Sequence, residues 1–363
     1  MKFRFDEIAF NSTLKKKPVE EDKIHYIGLE HIEPGNFSIT EWGSDVAPVG
    51  EKLIMKKGDI LFGKRRAYQR KVAIAPFDGI FSAHGMVLRP KTDVIDADFF
   101  PLFISSDTFM ETAMRISVGG LSPTINWKDL KEQEFELPSL EEQQTIAKKA
   151  WAAYRLKEAY QRLLVATDEM VKSQFLEWFG DVEYIPLKNV CLRIGEYGSN
   201  TPATDYDGSV RYLRITDIND DGSLGNEIVS PSTIEEKYYL QTNDFVFART
   251  GNTVGKTYLH TSGKMIYAGY LIRYKLDETC VLPKFLLAYT HTSLFWDWVS
   301  KMKKVGAQPN ISAQQYNELP IPRAEIASQQ RFVSIAEQAD KSKFELKRAI
   351  EAIDKVIKSL ING

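Results

Sequence analysis

Residues 139–179 run without a proline or a glycine, directly after Pro138 and directly before Gly180. An uninterrupted stretch of that length predicts one long helix. Ser139 is placed to cap it, and Glu141 and Glu142 fall in its first turn, where carboxylates complement the helix dipole. Stepping by three and four, Ile146, Ala150, Ala153, Leu156, Tyr160, Leu163, Thr167 and Met170 give a seam with the mean step of a helix lying along another helix. At its usual rise such a helix reaches roughly 60 Å, so it needs a partner of similar length.

The chain supplies that partner. Displacing the seam by 186 residues lands on Phe332, Ala336, Ala339, Ser342, Leu346, Ala349, Ile353 and Val356, and carries Gln143–Gln144 onto Gln329–Gln330. The segments ahead of the helices repeat as well. Tyr26–Gly35 answers to Tyr212–Gly222 at 186, Lys57–Gly63 to Thr242–Ala248 at 185, and Gly119–Ile125 to Val305–Ile311 at 186. Two copies of one unit are therefore expected, each a globular part followed by a long helix. The expected boundaries are 1–138 and 181–323 for the globular domains, with 139–180 and 324–363 for the helices.

The fold class this predicts is α+β, two strand-rich α/β domains in tandem pseudo-repeat. Short apolar runs at Lys23–Leu29, Asp59–Gly63, Lys71–Ala75 and Gly85–Leu88 are separated by Pro-Gly, Lys-Gly and Asp-Gly turns. Aromatic-rich helices are expected at Asp96–Arg115 and Pro283–Val299. No apolar run approaches the roughly 18 residues of a membrane span, and MKFRFDEIAF lacks the apolar core of a signal peptide. Cys191 and Cys280 have no ligand or CxxC spacing and read as reduced thiols, so a cytoplasmic protein is expected. The net charge of −2 is silent on nucleic acid, because binding depends on local patches.

Such a patch stands out at Glu51–Ala75, where eight Lys or Arg face two acids. Its tightest part offers Lys64, Arg65, Arg66, Tyr68, Gln69 and Arg70 as DNA-binding candidates. Arginine makes bidentate contacts to phosphates and guanine edges, and a preceding strand gives the loop a rigid platform. The plain alternative is a solvated surface loop. In the second copy the matching loop is Arg249–Thr257, offering Arg249, Thr250, Asn252 and Lys256, with Arg211 and Arg214 as candidate phosphate contacts nearby. That loop imitates a Walker A motif, but the motif requires glycine where Thr250 stands, and the first copy has no GKT. Lys301, Lys303 and Lys304 are either further phosphate contacts or an ordinary solvated helix end.

No catalytic constellation emerges. His25, His31, His84, His260 and His291 lack metal-ligand or triad spacing and read as structural. Nucleophile-elbow, dinucleotide, amino-methyltransferase and nuclease motifs are absent from the sequence.

The loops GGLSPTIN (119–126) and GAQPNIS (306–312), the helix starts FELPSLEEQQTIAK (135–148) and IPRAEIASQQRFV (321–333), and the turns GDILFGKR (58–65) and NDFVFARTG (243–251) resemble the specificity subunits of type I restriction-modification enzymes. The resemblance spans essentially the whole chain. It implies two target-recognition domains held apart by an antiparallel coiled coil of the long helices, each domain reading one half of an asymmetric bipartite site on double-stranded DNA while the helices set the spacer. It also implies a non-catalytic chain without a cofactor of its own. Methylation would fall to methyltransferase subunits, two of them, docked on exposed helix faces, and cleavage to a restriction and translocase subunit. S-adenosylmethionine, ATP and magnesium would belong to those partners. The competing readings are a coiled-coil protein–protein scaffold without a DNA role and, third, an enzyme using the 249–257 loop on a nucleotide.

Overall fold

The structure is a computed structural model that describes residues 1–303 and 309–362; Lys304 and residues 305–308 of the second Gly/Pro loop lie outside the described residues. The chain forms two compact units, Met1–Gln161 with Arg348–Gly363, and Arg162–Lys347.

In the first unit the central strand is Ile60–Gly63, flanked antiparallel by Val72–Ile74 and Gly85–Pro90, with Ala9–Ser12 at the far edge. Side chains alternate across a strand, so Ile60 and Phe62 face one way and Leu61 the other. Ile60 and Phe62 join Met86, Leu88, Phe100, Phe103 and Phe109 in one core. Leu61 packs with Leu53, Met55, Phe81 and Val87 in another, beneath a second sheet of Lys15–Lys16, Lys52–Met55, Gly79–Phe81 and Tyr26–Ile27. Both faces are covered, which is why the strand is continuously apolar and does not alternate.

The second unit repeats the plan. Its central strand, Asp244–Ala248, lies between Leu271–Leu276 and Thr257–Leu259, with Cys191–Tyr197 outermost. Phe245 and Phe247 pack with Phe285, Phe295 and Tyr316, while Val246 and Ala248 pack with Leu213, Tyr267 and Leu271. Arg211–Leu213 pairs in parallel with Met265–Tyr267, as Tyr26–Ile27 does with Gly79–Phe81.

Each aromatic helix expected as one piece is two. Phe99–Ser105 and Asp107–Arg115 meet at Ser106, and Pro283–Tyr289 and Ser293–Met302 are joined through Thr290–Thr292. Ser106 and Thr292 are extended (ψ 155° and 161°), and each buried hydroxyl donates to the carbonyl three residues back, Phe103 and Tyr289, at 2.7 Å. A hydroxyl that bonds its own backbone competes with the helix, which a pattern of apolar residues does not register.

The long helices are Leu140–Phe179 and Ile326–Asn362. A reciprocal capping box opens the first, with Ser139 N donating to Glu142 (2.9 Å) and Glu142 N to Ser139 Oγ (3.3 Å). One turn inside each start sits a buried glutamine. Gln143 accepts from Asp96 N (2.8 Å) and donates to the carbonyls of Val94 (3.3 Å) and Pro138 (3.0 Å). Gln329 accepts from Leu282 N and donates to Cys280 and Ala324, each at 2.9 Å. All three partners of Gln329 are those of Gln143 displaced by 186 residues. These two residues fasten each long helix to its globular part.

The helices pack together, antiparallel within each unit. In the first, Ala147, Ala150 and Tyr154 of the leading helix share a core with Ile353, Ile357 and Leu360 near the end of the other. Lys157 bridges to Asp354 at 2.6 Å, and in the second unit Lys343 bridges to Asp168 at 2.6 Å, the same pair with the helices exchanging roles. The seam differs from the sequence expectation at Leu156, Leu163 and Met170, while Tyr160 and Thr167 stay half-buried. Leu156, Leu163 and Met170 are 44%, 49% and 46% exposed, and Lys157, Leu164 and Val171 are the more inward residues. Tyr154, fixed in the core, sets the helix rotation, and Lys157 takes an inward position because Asp354 receives its charge. Among the described residues no helix is long and apolar enough to cross a membrane.

Candidate nucleic-acid interface

In both units the central strand runs into a tight loop held by the same three backbone bonds. In the first, Gly63 N donates to Lys71 O (2.9 Å), Arg66 N to Pro123 O (2.8 Å) and Ile125 N to Lys64 O (2.9 Å). In the second, Ala248 N donates to Lys256 O (2.8 Å), Gly251 N to Pro309 O (2.9 Å) and Ile311 N to Arg249 O (2.8 Å). The Pro-Thr-Ile (123–125) and Pro-Asn-Ile (309–311) segments thus clamp the loops, which gives their sequence repeat a physical cause. A 3-10 turn follows in each, Ala67–Gln69 and Gly251–Thr253.

The imitation of a phosphate loop has the same origin. The first turn is bracketed by two left-handed residues, Arg66 (φ 55°) and Arg70 (φ 52°). Their counterparts are Gly251 (φ 69°) and Gly255 (φ 94°), residues that reach this conformation without steric cost. The trailing lysine is a clamp in both copies. Lys71 Nζ donates to Leu29 O (2.6 Å); Lys256 Nζ donates to Ile218 O (3.2 Å) and pairs with Asp220 (2.9 Å).

Not all candidate cations are free. Arg70 turns away to pair with Asp107, holding that carboxyl below its ordinary range, and Lys358 and Asn362 meet the same carboxylate. Arg211 donates to Gly225 O at 3.0 Å, and its buried Nε has no partner. Arg214 is held by Asp217 (2.8 Å) and Glu227 (3.1 Å). Arg70, Arg211, Arg214 and Lys256 are thus each engaged within their own units.

What remains in the first loop is a compact cationic patch. Arg65 and Arg66 are exposed, Tyr68 is 53% exposed, Gln69 is half-buried beside them, and Arg65 Nη1 lies 3.3 Å from His84 Nε2. Burial lowers the Lys64 ammonium below its usual range, with Lys15 adding repulsion. Burial likewise lowers His84, followed by repulsion from Arg65, Lys64 and Lys52. Like charges held together against repulsion make a ready anion site. The second loop is built differently. The Arg249 guanidinium lies 4.7 Å over the Tyr197 ring, with Nε donating to Asn310 Oδ1 at 3.3 Å. Asn252 is exposed, Tyr270 is 62% exposed beside Arg249, and Thr250 is half-buried, pairing through its backbone with Asn310. Lys303 lies 6.0 Å from the Trp296 ring centre and Lys301 is exposed.

Sequence reading missed His84, Tyr197, Tyr270 and Asn310. The signal for two of them was present, since the 186-residue displacement carries His84 onto Tyr270 and Thr124 onto Asn310. Among the described residues no group of three or more His, Cys, Asp or Glu side chains is placed to hold a metal ion.

Comparison with known proteins agrees with this layout. Residues 3–153 match the type I restriction modification DNA specificity domain family. The EcoDI type I restriction enzyme specificity subunit of Escherichia coli is 32% identical over 152 residues, which is 40% of this chain and 33% of that protein, so the match spans about a third of the relative's length. A chain from a structure of the assembly and conformational transition of the type I R-M system superposes over 99% of this chain and 96% of its own, with TM-score 0.63 and 16% identity. The type I restriction-modification S subunit of M. genitalium superposes over 99% and 94%, with TM-score 0.55 and 15% identity. At these identities the structural likeness shows the fold.

Proposed function

We infer that this chain, a homologue of the type I restriction-modification specificity subunits with two target-recognition-like domains, is the non-catalytic DNA-reading subunit of such a complex. The observation that carries this is the duplicated clamp: one scaffold in both units presents unlike side chains, Lys64–Arg65–Arg66 with Tyr68 in one and Arg249 with Asn252 in the other. Unlike readers imply unlike half-sites, hence an asymmetric bipartite target on double-stranded DNA. The long helices would set the unread spacer between the half-sites. With domain limits near 1–138 and 181–323, each globular part would be one reading module. Arg65 and Arg66 contact phosphates or guanine edges in this reading, with Gln69 beside them, and Arg249, Thr250 and Asn252 do so in the second module.

The chemistry would come from cytoplasmic partners, namely two methyltransferase subunits using S-adenosylmethionine and a restriction and translocase subunit using ATP and magnesium. Leu163 and Met170, apolar and exposed on the first long helix, mark a face where a methyltransferase subunit would dock. Co-expression with the methyltransferase subunit, followed by genome-wide mapping of methylated bases, should return one motif with two unlike halves and a fixed gap. A palindromic motif, or no methylation by a well-folded complex, would overturn the reading. DNA affinity should also fall steeply with salt through counterion release, which a scaffold without a DNA role would not show.

His84 adds a pH signature. Its ionisation is lowered in the free protein, so it is neutral near pH 7, and a nearby phosphate would favour its charged form. Binding then takes up a proton, and affinity should rise as pH falls from about 7.5 to 5.5. A flat wild-type profile, or an unchanged slope in His84→Asn, would remove His84 from the interface.

A further inference from the structure

The two units differ at one place where their frameworks match. In the first, Phe37, Trp151 and Tyr154 fill the space between the globular part and the long helices, with ring centres 4.9 to 5.5 Å apart. Their polar edges are tied to backbone, Trp151 Nε1 to Asp98 O and Tyr154 Oη to Gly35 O, both at 2.8 Å. In the second unit Trp151 and Tyr154 are replaced by Glu337 and Asp340 at the 186-residue displacement, and the turn Asp220–Leu224 contains no aromatic residue. Glu337 pairs with Lys284, the counterpart of Asp98, and Asp340 with Lys343. The space stays open, as a cavity of about 740 Å³.

Its lining suits an aromatic guest. Val171, Leu287, Trp296 and Val333 form apolar wall; at its edge Lys284 pairs with Glu337 and Lys343 with both Asp168 and Asp340, and Asp220 and Asp221 leave the lining net acidic. His291 lines the same cavity and its buried Nε2 has no hydrogen-bond partner. An unpaired buried ring nitrogen costs free energy until a ligand supplies the bond. Lys172 on the rim has no ion-pair partner among the described residues.

We propose that this cavity is a socket for one tryptophan or tyrosine side chain presented by a partner polypeptide, with the indole N–H or phenol O–H meeting His291 Nε2. The first unit fills the equivalent space with peptide-borne rings of the same kinds, each holding a polar edge in a hydrogen bond. An apolar pocket rimmed by charge is also the setting in which Trp and Tyr become binding hot spots.

The test uses the full chain and capped amino acids as probes. N-acetyl-tryptophanamide should shift the NMR signals of Ala288, Ala336 and His291, and N-acetyl-alaninamide should not. The double variant Glu337→Trp/Asp340→Tyr, which restores the filling of the first unit, should bind the tryptophan probe at least ten-fold more weakly. Ala288→Trp, which closes the cavity from the opposite wall without disturbing an ion pair, should do the same. No shift with N-acetyl-tryptophanamide, or undiminished binding in both variants, would overturn the proposal. Tighter binding of free indole than of the capped residue would overturn the peptide-borne occupant in favour of a small molecule.

Discussion

Arg65→Ala is expected to weaken recognition of one half-site and leave the other untouched, and Arg249→Ala to do the reverse. Arg65 stands exposed on a clamped loop, held there through its backbone, and its side chain meets His84, so truncating it deletes a contact without loosening the fold. Each lost base contact costs about 1–3 kcal/mol, or roughly ten- to a hundred-fold in affinity. The check is a binding or methylation competition with duplexes altered in one half-site at a time. The variant should stop discriminating at the half it no longer reads and keep full discrimination at the other. If Arg65 meets only phosphate, the loss will be uniform across sequences and the salt dependence will flatten by about one charge. Unchanged specificity in both variants would take the loops out of recognition. Arg214→Ala is the control, because its guanidinium is occupied by Asp217 and Glu227 and its loss should appear as reduced stability.

Replacing Gln143 by leucine should be the most damaging single change to the first unit, and Gln329→Leu the most damaging to the second. Each side chain is essentially fully buried and satisfies one backbone N–H and two backbone carbonyls. Leucine fits the volume and leaves those groups unpaired, at a cost of about 3 kcal/mol or more. Denaturant unfolding with a probe in each unit should report the loss in the unit that carries the substitution. Gln143→Glu sharpens the test. It keeps the bond from Asp96 N but sets an oxygen against two carbonyls, so the buried carboxyl would ionise only above its ordinary range. The variant should be nearest to wild type at low pH and lose stability as pH rises through that raised value. Equal stability at both ends of the pH range would mean the site admits water.

The duplication was legible because it depends only on residue identity at a constant displacement, and the paired loops followed from it. The free energy of the loops was not legible. Arg70 and Lys64 belong to one basic run in the sequence, yet Arg70 is drawn to Asp107, which is remote along the chain, while Lys64 stays in the patch. Arg214 has a local partner in Asp217, three residues on, and a second in Glu227, which no short-range pattern announces. The helix seam went astray for a related reason: leucine outranks lysine in any apolar pattern, but Lys157 has Asp354 to meet and Leu156 has nothing. Glycines 251 and 255 were misleading until the positive φ angles of Arg66 and Arg70 showed what that backbone demands.

The exchanged bridges carry one more consequence. Lys157 and Asp168 lie on one long helix, and Lys343 and Asp354 on the other. Each helix therefore carries one lysine and one aspartate of the exchanged bridges, so a single pairing rule serves both units. Two copies on one polypeptide are free to diverge in their loops, and in which of them keeps an open cavity, while each keeps the same bridge between its two helix segments.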